Sequence, residues 1–314
     1  MRVLVTGALG RVGAATVTAL LDAGHEVTAC DQRLPPPEPP AARAHYLQAD
    51  LTDAGHADAA VLGHDAVVHA AAIPAPRLNP PHVLFQTNVM SVFNTVEAAV
   101  RLGVRRFVNI SSEAAIGRSW AERPFLFDYV PVDEDHPVRP QDAYSTGKLI
   151  SEVLMDAAVR RSDLTAVSIR PAWVQWEGSY ERSLGPTVRG DADANAGYWT
   201  YIDVYDLADA LRLACEAELT GHEVVFIASP DNYAGRPLAE AVRALHGDAV
   251  EVRPHERPDA GALSIAKARR VLGYAPVRSW RDYLDAGGRL RPEARDRLER
   301  GETGVQRGRR AAGH

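Results

Sequence analysis

Cysteines and long apolar runs are scarce in this chain. Cys30 and Cys215 are the only two cysteines among 314 residues, which argues against a disulfide scaffold or a zinc cluster and predicts no metal site. No apolar run approaches the ~20 residues that a membrane-spanning helix needs. Because the chain also opens directly on a strand-like segment, we expect no signal peptide, no membrane partner and a cytoplasmic location.

A large excess of charge of either sign is absent as well. The formal net charge is −6, and charged residues make up 24% of the sequence against 46% hydrophobic residues. This balance is ordinary for a globular enzyme and gives no reason to expect nucleic acid as a partner. The arginine-rich tail at residues 286–314 is the local exception. We interpret it as an exposed segment rather than a nucleic-acid arm.

Strand-like and helix-like segments alternate along the first half of the chain. Strand patterns occupy residues 3–6, 26–30, 45–47, 66–69, 107–111 and 166–170, and helix patterns include 81–102 and 143–160. In the second helix Leu149, Val153 and Ala157 repeat on one face. A further helix is expected at 205–217, a strand at 224–227 and a stiff proline loop at 35–40. This alternation predicts an α/β fold with a doubly wound parallel sheet, the Rossmann architecture.

The first strand runs directly into a glycine-rich turn and then an apolar helix. In such a turn Gly7 permits the tight bend, Gly10 lets backbone approach a pyrophosphate, and Gly13 lets the helix pack close to the strand. Phosphates then lie on the free N–H groups at the helix N-terminus. The pattern therefore predicts a dinucleotide site at the start of the chain.

A carboxylate follows the second strand. Asp31 lies roughly 20 residues beyond the glycine turn, where an acid can accept hydrogen bonds from the adenosine ribose. Its charge would repel a 2′-phosphate, so the sequence favours NAD over NADP, although Arg33 nearby is a residue type that accepts that phosphate. The alternative is that Asp31 only caps a turn.

A tyrosine and a lysine lie one helical turn apart at the start of the 143–160 helix. A phenol such as Tyr144, with a pKa of about 10, is a poor base at neutral pH. The ammonium of Lys148, together with a positive nicotinamide ring, would stabilise the phenolate and lower that pKa. This spacing also occurs by accident. However, Ser111 and Ser112 close the fifth strand at the edge of the sheet where such folds bind ligands, unless they only cap a turn.

Taken together and in this order, these motifs resemble the extended short-chain dehydrogenase/reductase family, often called the NAD-dependent epimerase/dehydratase family. The resemblance covers most of residues 1–285. The matching pieces are Thr6-Gly7-x-x-Gly10-x-x-Gly13, Asp31, Asp50-Leu51, His69-Ala70-Ala71-Ala72, Asn88-Val89, Ser111-Ser112 followed by Gly117, Tyr144-x-x-x-Lys148, Arg170-Pro171, Tyr201-Ile202-Asp203-Val204-x-Asp206 and Leu207-Ala208-Asp209-Ala210.

The resemblance implies roles for individual residues. It points to Ser112 rather than Ser111 as the catalytic hydroxyl, to Tyr144 as the acid/base and to Lys148 as the residue that holds the nicotinamide ribose. It also implies a homodimer with NAD as cofactor. NAD contacts would fall on Gly7, Gly10, Arg11, Val12, Gly13, Asp31, Asp50, Leu51, Ala70, Ala71, Ala72, Asn88, Tyr144, Lys148, Pro171 and Ala172. Without the family comparison, Asp50 reads equally well as an ordinary loop acid.

A division of the chain follows from these motifs. We expect an NAD-binding Rossmann domain over residues 1–170, to which segments around 198–228 return. Most of residues 171–285 would form a small, discontinuous C-terminal lobe that binds substrate.

Three features depart from the sugar-nucleotide members of the family. Trp173 replaces an asparagine that contacts substrate, and it is either a flat pocket wall or a core tryptophan. The stretch from Trp173 to Tyr201 is short, and its basic residues are only Arg182 and Arg189. The dehydratases carry an acidic pair after the catalytic hydroxyl, whereas here only Glu113 is acidic. The uronate dehydrogenases are similar in these respects, so a smaller substrate and a net redox reaction are expected.

We therefore expect an NAD-dependent oxidoreductase that transfers hydride between NAD and a hydroxyl or carbonyl of a small sugar-like substrate. The residues expected to line its substrate pocket are Ile73, Ser112, Glu113, Tyr144, Trp173 and Trp176. One alternative is a nucleotide-sugar epimerase or dehydratase that reduces NAD only transiently. Another is a dinucleotide-sensing regulator, which the tyrosine–lysine pair argues against.

Overall fold

A computed structural model of the protein describes residues 1–35, 43–77, 79–192 and 197–299. Its first half contains β1 (Arg2–Thr6), α1 (Arg11–Asp22), β2 (Glu26–Asp31), β3 (His45–Gln48), α2 (Ala54–Val61), β4 (Ala66–His69), α3 (Pro81–Arg101), β5 (Arg106–Ile110), a 3₁₀ helix (Glu113–Ile116), β6 (Tyr129–Val130) and α4 (Ala143–Arg160). Its second half contains β7 (Thr165–Pro171), β8 (Val174–Gln175), α5 (Tyr180–Ser183), α6 (Gly185–Arg189), β9 (Ile202–Asp203), α7 (Val204–Glu216), β10 (His222–Ile227), α8 (Leu238–His246), β11 (Glu251–Val252), α9 (Ala266–Leu272), a second 3₁₀ helix (Trp280–Asp282) and α10 (Pro292–Glu299).

Seven of these strands form one parallel sheet in the order β10-β7-β5-β4-β1-β2-β3. The chain winds outward from β1 in both directions, so the order reverses between β1 and β4. In open α/β sheets this reversal opens a crevice at the carboxyl ends of the strands, where ligands bind. The predicted doubly wound Rossmann sheet is therefore confirmed, and it positions a site above β1 and β4.

The predicted elements match the observed ones to within one or two residues at their ends. All seven predicted strands occur in the central sheet, and α4 has the predicted bounds. The apolar repeat in α4 faces outward, however, because Val153 is 56% exposed and Ala157 is also exposed. The buried face of α4 instead carries Tyr144, Lys148 and Glu152, whose polar groups find partners on the sheet.

The second half of the chain both completes the sheet and builds on its edge. β10 pairs with β7, and α7 packs on α1, beside the glycine turn. Two small parallel pairs, β8 with β9 and β6 with β11, lie outside the central sheet. In the tail, Ala294 of α10 is buried, while residues 300–314 and most of the proline run, residues 36–40, lie outside the described residues.

A buried ion pair fastens α4 to the sheet. The carboxylate of Glu152 accepts hydrogen bonds from Nε and Nη2 of Arg170 on β7, at 2.8 and 2.7 Å. It also accepts one from the hydroxyl of Ser111 at the end of β5, at 2.6 Å. Both charged side chains are only 6% exposed. Because an unpaired charge is costly at such a depth, the pair fixes the position of α4 along β5 and β7.

We expect the substitution Arg170→Met to lower the free energy of unfolding by about 3–5 kcal/mol, because it leaves the Glu152 carboxylate buried without its cation. Denaturant unfolding of the purified variant measures this. The matched control is Arg160→Met, whose guanidinium is 74% exposed beside Asp156 and should cost less than ~1 kcal/mol. Similar losses in the two variants would show that the buried pair does not anchor the helix.

Candidate active site

The glycine turn is as tight as its sequence predicts. Gly7 has a φ of +62°, and a Cβ at Gly7 would lie 2.8 Å from the carbonyl carbon of Ala70. A Cβ at Gly13 would lie 2.2 Å from the Gly7 carbonyl oxygen, so α1 can approach the turn only with glycine there. Gly10 caps α1 without any side-chain hydrogen bond. This uncapped helix N-terminus suits the pyrophosphate of a dinucleotide.

Asp31 lies at the end of β2, beside this turn. Its Oδ2 accepts a hydrogen bond from the Leu9 backbone N–H at 3.0 Å, and its Oδ1 accepts one from the Arg33 N–H at 3.1 Å. The Arg33 guanidinium also lies 3.5 Å from Oδ1. The carboxylate therefore braces the glycine turn and lies next to Arg33, a cation of the type that can accept a 2′-phosphate.

Two adjoining cavities occupy the crevice at the carboxyl edge of the sheet. The smaller, of about 250 Å³, is lined by Gly7, Gly10, Cys30, Asp31, Gln32, Arg33, Ala49, Leu51, Ala70, Ala71, Ala72, Ile73, Thr87 and Ser91. The larger, of about 670 Å³, is lined by Gly7, Gly10, Arg11, Val12, Gly13, Ala70, Ala72, Pro74, Ile110, Ser111, Ser112, Glu113, Ala114, Ser119, Trp120, Tyr144, Lys148, Pro171, Ala172, Trp173, Val174, Trp176 and Gly197. They share Gly7, Gly10, Ala70 and Ala72, so together they form a groove that runs from Asp31 to Tyr144.

The predicted catalytic residues meet in the larger cavity. Ser112 follows β5, and its hydroxyl accepts the Ala114 N–H at 3.1 Å, which leaves the hydroxyl proton available to donate. Asp142 caps α4 by accepting the Tyr144 N–H. The Lys148 ammonium lies 5.8 Å from the centre of the Tyr144 ring and donates to the Ile110 carbonyl at 2.6 Å.

Burial dominates the electrostatics of Tyr144 and Lys148. Burial raises the pKa of Tyr144 to about 12, against the lowering effect of a hydrogen bond with Ser112. Burial also lowers the pKa of Lys148 to about 8, while the Glu152 carboxylate acts in the opposite direction. Desolvation therefore dominates the pKa of Tyr144 in the chain by itself, where the Lys148 ammonium is turned toward the Ile110 carbonyl. The lowering of that pKa by Lys148 together with the nicotinamide ring stays a prediction, because it requires the bound cofactor.

Aromatic side chains and one acid form the far end of the larger cavity. Trp173 is 41% exposed, so it is a wall of the cavity and not a core residue. Burial raises the pKa of the Glu113 carboxyl above its usual range, and its Oε1 accepts the Ser119 hydroxyl at 2.7 Å. Trp120 adds a second aromatic wall. Sequence reasoning missed Trp120 and Ser119, because neither belongs to a motif.

Three predicted residues lie away from their expected places. Asp50 faces neither cavity and instead accepts hydrogen bonds from the N–H and hydroxyl of Thr52. Asn88 also lines neither cavity, since its amide is used on both backbone groups of Ile73, at 2.8 and 3.0 Å. Ile73 lines the smaller cavity and not the larger one. Asp50 and Asn88 thus hold loops whose backbones border the groove.

Comparisons with known proteins agree with this geometry. The profile described as "NAD dependent epimerase/dehydratase family" matches residues 3–228. The chain belongs to this family. It is therefore an enzyme of the extended short-chain dehydrogenase/reductase type, and its cofactor is NAD.

Relatives within the family catalyse different reactions. A UDP-glucose 4-epimerase from Corynebacterium glutamicum is 28% identical over 309 residues, covering 88% of this chain and 91% of that protein. An L-arabinose 1-dehydrogenase (NAD(P)(+)) from Haloferax volcanii is 28% identical over 289 residues, covering 88% and 96%. A short-chain dehydrogenase/reductase superfamily protein from Agrobacterium tumefaciens, solved with bound NAD, shares the fold with a TM-score of 0.71 and 23% identity, over 96% of this chain and 99% of that one.

Within the part of this chain that the structure describes, no helix is both long and apolar enough to cross a membrane.

We expect the substitution Asp31→Asn to reduce the preference for NAD over NADP by about tenfold, which corresponds to ~1.4 kcal/mol. The amide keeps an acceptor for the Leu9 N–H but removes the charge that opposes a 2′-phosphate, and it frees Arg33 from its ion pair. Calorimetric dissociation constants for both dinucleotides check this, with Asp22→Asn on the surface as the control. Equal affinities of the unaltered chain for NAD and NADP would contradict it.

Proposed function

We propose that this enzyme is an NAD-dependent dehydrogenase of a small sugar-like substrate that carries no nucleotide. The observation that carries the proposal is the distribution of charge in the larger cavity. Among its described lining residues the basic side chains are Arg11 and Lys148, both next to the dinucleotide site, while the far end has Glu113. Near this end the Arg77 guanidinium carbon lies 5.2 Å from the centre of the Trp120 ring, and Arg118 acts on the Glu113 carboxyl, but neither arginine lines the cavity. A substrate diphosphate, which proteins bind with clustered cations, would therefore meet no such cluster among the described lining residues at this end.

The basic residues of the 171–201 stretch do not supply cations for a substrate diphosphate either. The Arg189 guanidinium pairs with Asp191 and donates to the Gly288 carbonyl. Arg182 is exposed and, like Arg189, does not line the larger cavity. Trp120 and Trp173 offer flat faces instead, and Glu113 offers a carboxylate acceptor, a combination that suits a ring bearing hydroxyl groups.

The three predicted catalytic residues have distinct proposed roles. Ser112 turns its hydroxyl proton to the reacting substrate oxygen and holds that oxygen beside the phenol. Tyr144 takes the hydroxyl proton as the alcohol is oxidised and returns it when a carbonyl is reduced. Lys148 holds the ribose, and its ammonium stabilises the phenolate. When bound, NAD supplies the hydride acceptor and, in its oxidised form, a positive charge beside a phenol that burial alone keeps protonated.

A nucleotide-sugar epimerase is the second candidate. The sequence similarity to the UDP-glucose 4-epimerase from Corynebacterium glutamicum, which extends over 88% of this chain, favours this candidate. In such an enzyme the NADH formed would be reoxidised within the same turnover, so no net NADH would accumulate.

The proposal predicts NADH formation in step with product when the chain is given NAD and a panel of neutral aldoses, sugar acids and cyclitols. Absorbance at 340 nm and product NMR measure both quantities. The substitution Tyr144→Phe should lower turnover by about 10²–10⁴-fold, as for other losses of general acid–base catalysis, without weakening NAD binding. Sugar nucleotides serve as the comparison substrates. Micromolar binding of UDP or dTDP, or interconversion of sugar nucleotides without net NADH, would establish the epimerase instead.

We also propose that two copies associate through α3 and α4, as the family resemblance implies a homodimer. The outer faces of these two packed helices expose Met90, Phe93 and Val153 at 36%, 39% and 56%. Large exposed apolar side chains on two packed helices are typical of interfaces. This surface ends at the ion pair between Glu97 and Arg161, one turn beyond Phe93 and Ala157.

The substitution Val153→Arg should shift the chain from dimer to monomer, because two copies would bring like charges together in an apolar contact. Sedimentation velocity at several concentrations measures this. Val277→Arg is the matched control, since Val277 is 76% exposed and lies on a different surface. A monomeric unaltered chain, or a Val153→Arg variant that stays dimeric, would contradict the proposed interface.

The buried cysteines support the proposed cytoplasmic location. Cys30 and Cys215 are both free, and burial raises the pKa of each thiol to about 12. Thiols of this kind are inert packing groups that suit a reducing compartment.

A further inference from the structure

Trp176 was expected to contact substrate, but the structure places it on a cofactor residue. The guanidinium carbon of Arg11 lies 3.8 Å from the centre of the Trp176 ring. At that distance the planar cation lies on the face of the indole in a cation–π contact. Arg11 is the first residue of α1, directly after Gly10. The contact therefore joins the glycine turn on one side of the groove to the β8–α5 segment on the other.

The Trp176 side of this contact is braced. The backbone N–H of Trp176 donates to the Ser179 hydroxyl at 2.9 Å, and that hydroxyl donates to Oε1 of Gln175 at 2.9 Å. Ser179 and Gln175 are both fully buried. The ring is thus a preorganised platform and not a loose surface side chain.

The Arg11 side is available to an anion. Among the described residues no carboxylate lies within ion-pair distance of Arg11, so stacking on Trp176 leaves the N–H groups at the edge of the guanidinium available. Those groups lie next to the uncapped N-terminus of α1. A guanidinium that is stacked on its face and free at its edge is well suited to bidentate phosphate recognition.

We propose that Trp176 is a positioning residue for the cofactor: it holds Arg11 over the pyrophosphate of the dinucleotide and so clamps NAD across the groove. The inference rests on the NAD site but not on the identity of the substrate. Under this proposal the affinity for NAD depends on Trp176, which comes from the substrate side of the groove. Release of NADH then requires the Arg11–Trp176 contact to open.

Calorimetric titration with NAD and with ADP-ribose, which shares its pyrophosphate, tests the clamp. Trp176→Leu should weaken both ligands by about tenfold, the scale of a desolvated cation–π contact. Trp176→Phe should retain part of the affinity. Arg11→Leu should weaken both ligands at least as much as Trp176→Leu, because it also removes the cation that binds the pyrophosphate. The double variant should be no weaker than Arg11→Leu alone, because Trp176 acts only through Arg11. Stopped-flow fluorescence should show faster NADH release from Trp176→Leu.

Trp173→Leu is the matched control, because Trp173 lines the same cavity three residues earlier but does not touch Arg11. It should raise the KM for substrate and leave NAD affinity within about twofold. Unchanged or tighter NAD binding by Trp176→Leu, or fully additive losses in the double variant, would overturn the clamp. Failure of the unaltered chain to bind NAD would instead overturn the cofactor site itself, so the two failures are distinguishable.

Discussion

The ion pair between Glu152 and Arg170 is the interaction on which the site depends. Glu152 lies on the same face of α4 as Lys148 and Tyr144, one turn beyond Lys148 and two turns beyond Tyr144. It is tied to Arg170 on β7 and to Ser111 at the end of β5. Because both charges are buried, any slide of α4 would separate them at high cost. One pair therefore sets where the phenol and ammonium lie relative to Ser112.

The burial that strengthens this ion pair also disfavours the charged forms of Tyr144 and Lys148. Desolvation keeps the phenol of Tyr144 protonated, with a pKa of about 12, and lowers the pKa of Lys148 to about 8. With this pKa the phenol is not a base at neutral pH. Under the proposed function, part of the positive charge that Tyr144 needs comes from the bound cofactor, so that proton transfer would depend on occupancy of the groove.

Basic and acidic side chains lie at opposite ends of the groove, and the two ends suit different ligands. The cations Arg11 and Lys148 belong to the dinucleotide end, and the acid Glu113 belongs to the opposite end beside two tryptophans. A dinucleotide needs charge neutralisation at its pyrophosphate, whereas a polyhydroxylated ring needs acceptors and a flat apolar face. The Arg11–Trp176 contact links the two ends, since its indole comes from the segment that follows the substrate-side Trp173.

The sequence by itself determined the features that depend on neighbours along the chain. The strand–helix alternation, the glycine turn, the bounds of α4 and the position of Asp31 all follow from local periodicity and backbone sterics, and the structure has them where they were predicted. Tertiary structure alone decided which way side chains face. It turned the amide of Asn88 onto the Ile73 backbone, turned Leu149, Val153 and Ala157 away from the sheet, and stacked Trp176 on Arg11. It also buried the phenol of Tyr144, which raises its pKa. The physical reason is that orientation and desolvation arise from packing between segments distant in sequence, which no local pattern encodes.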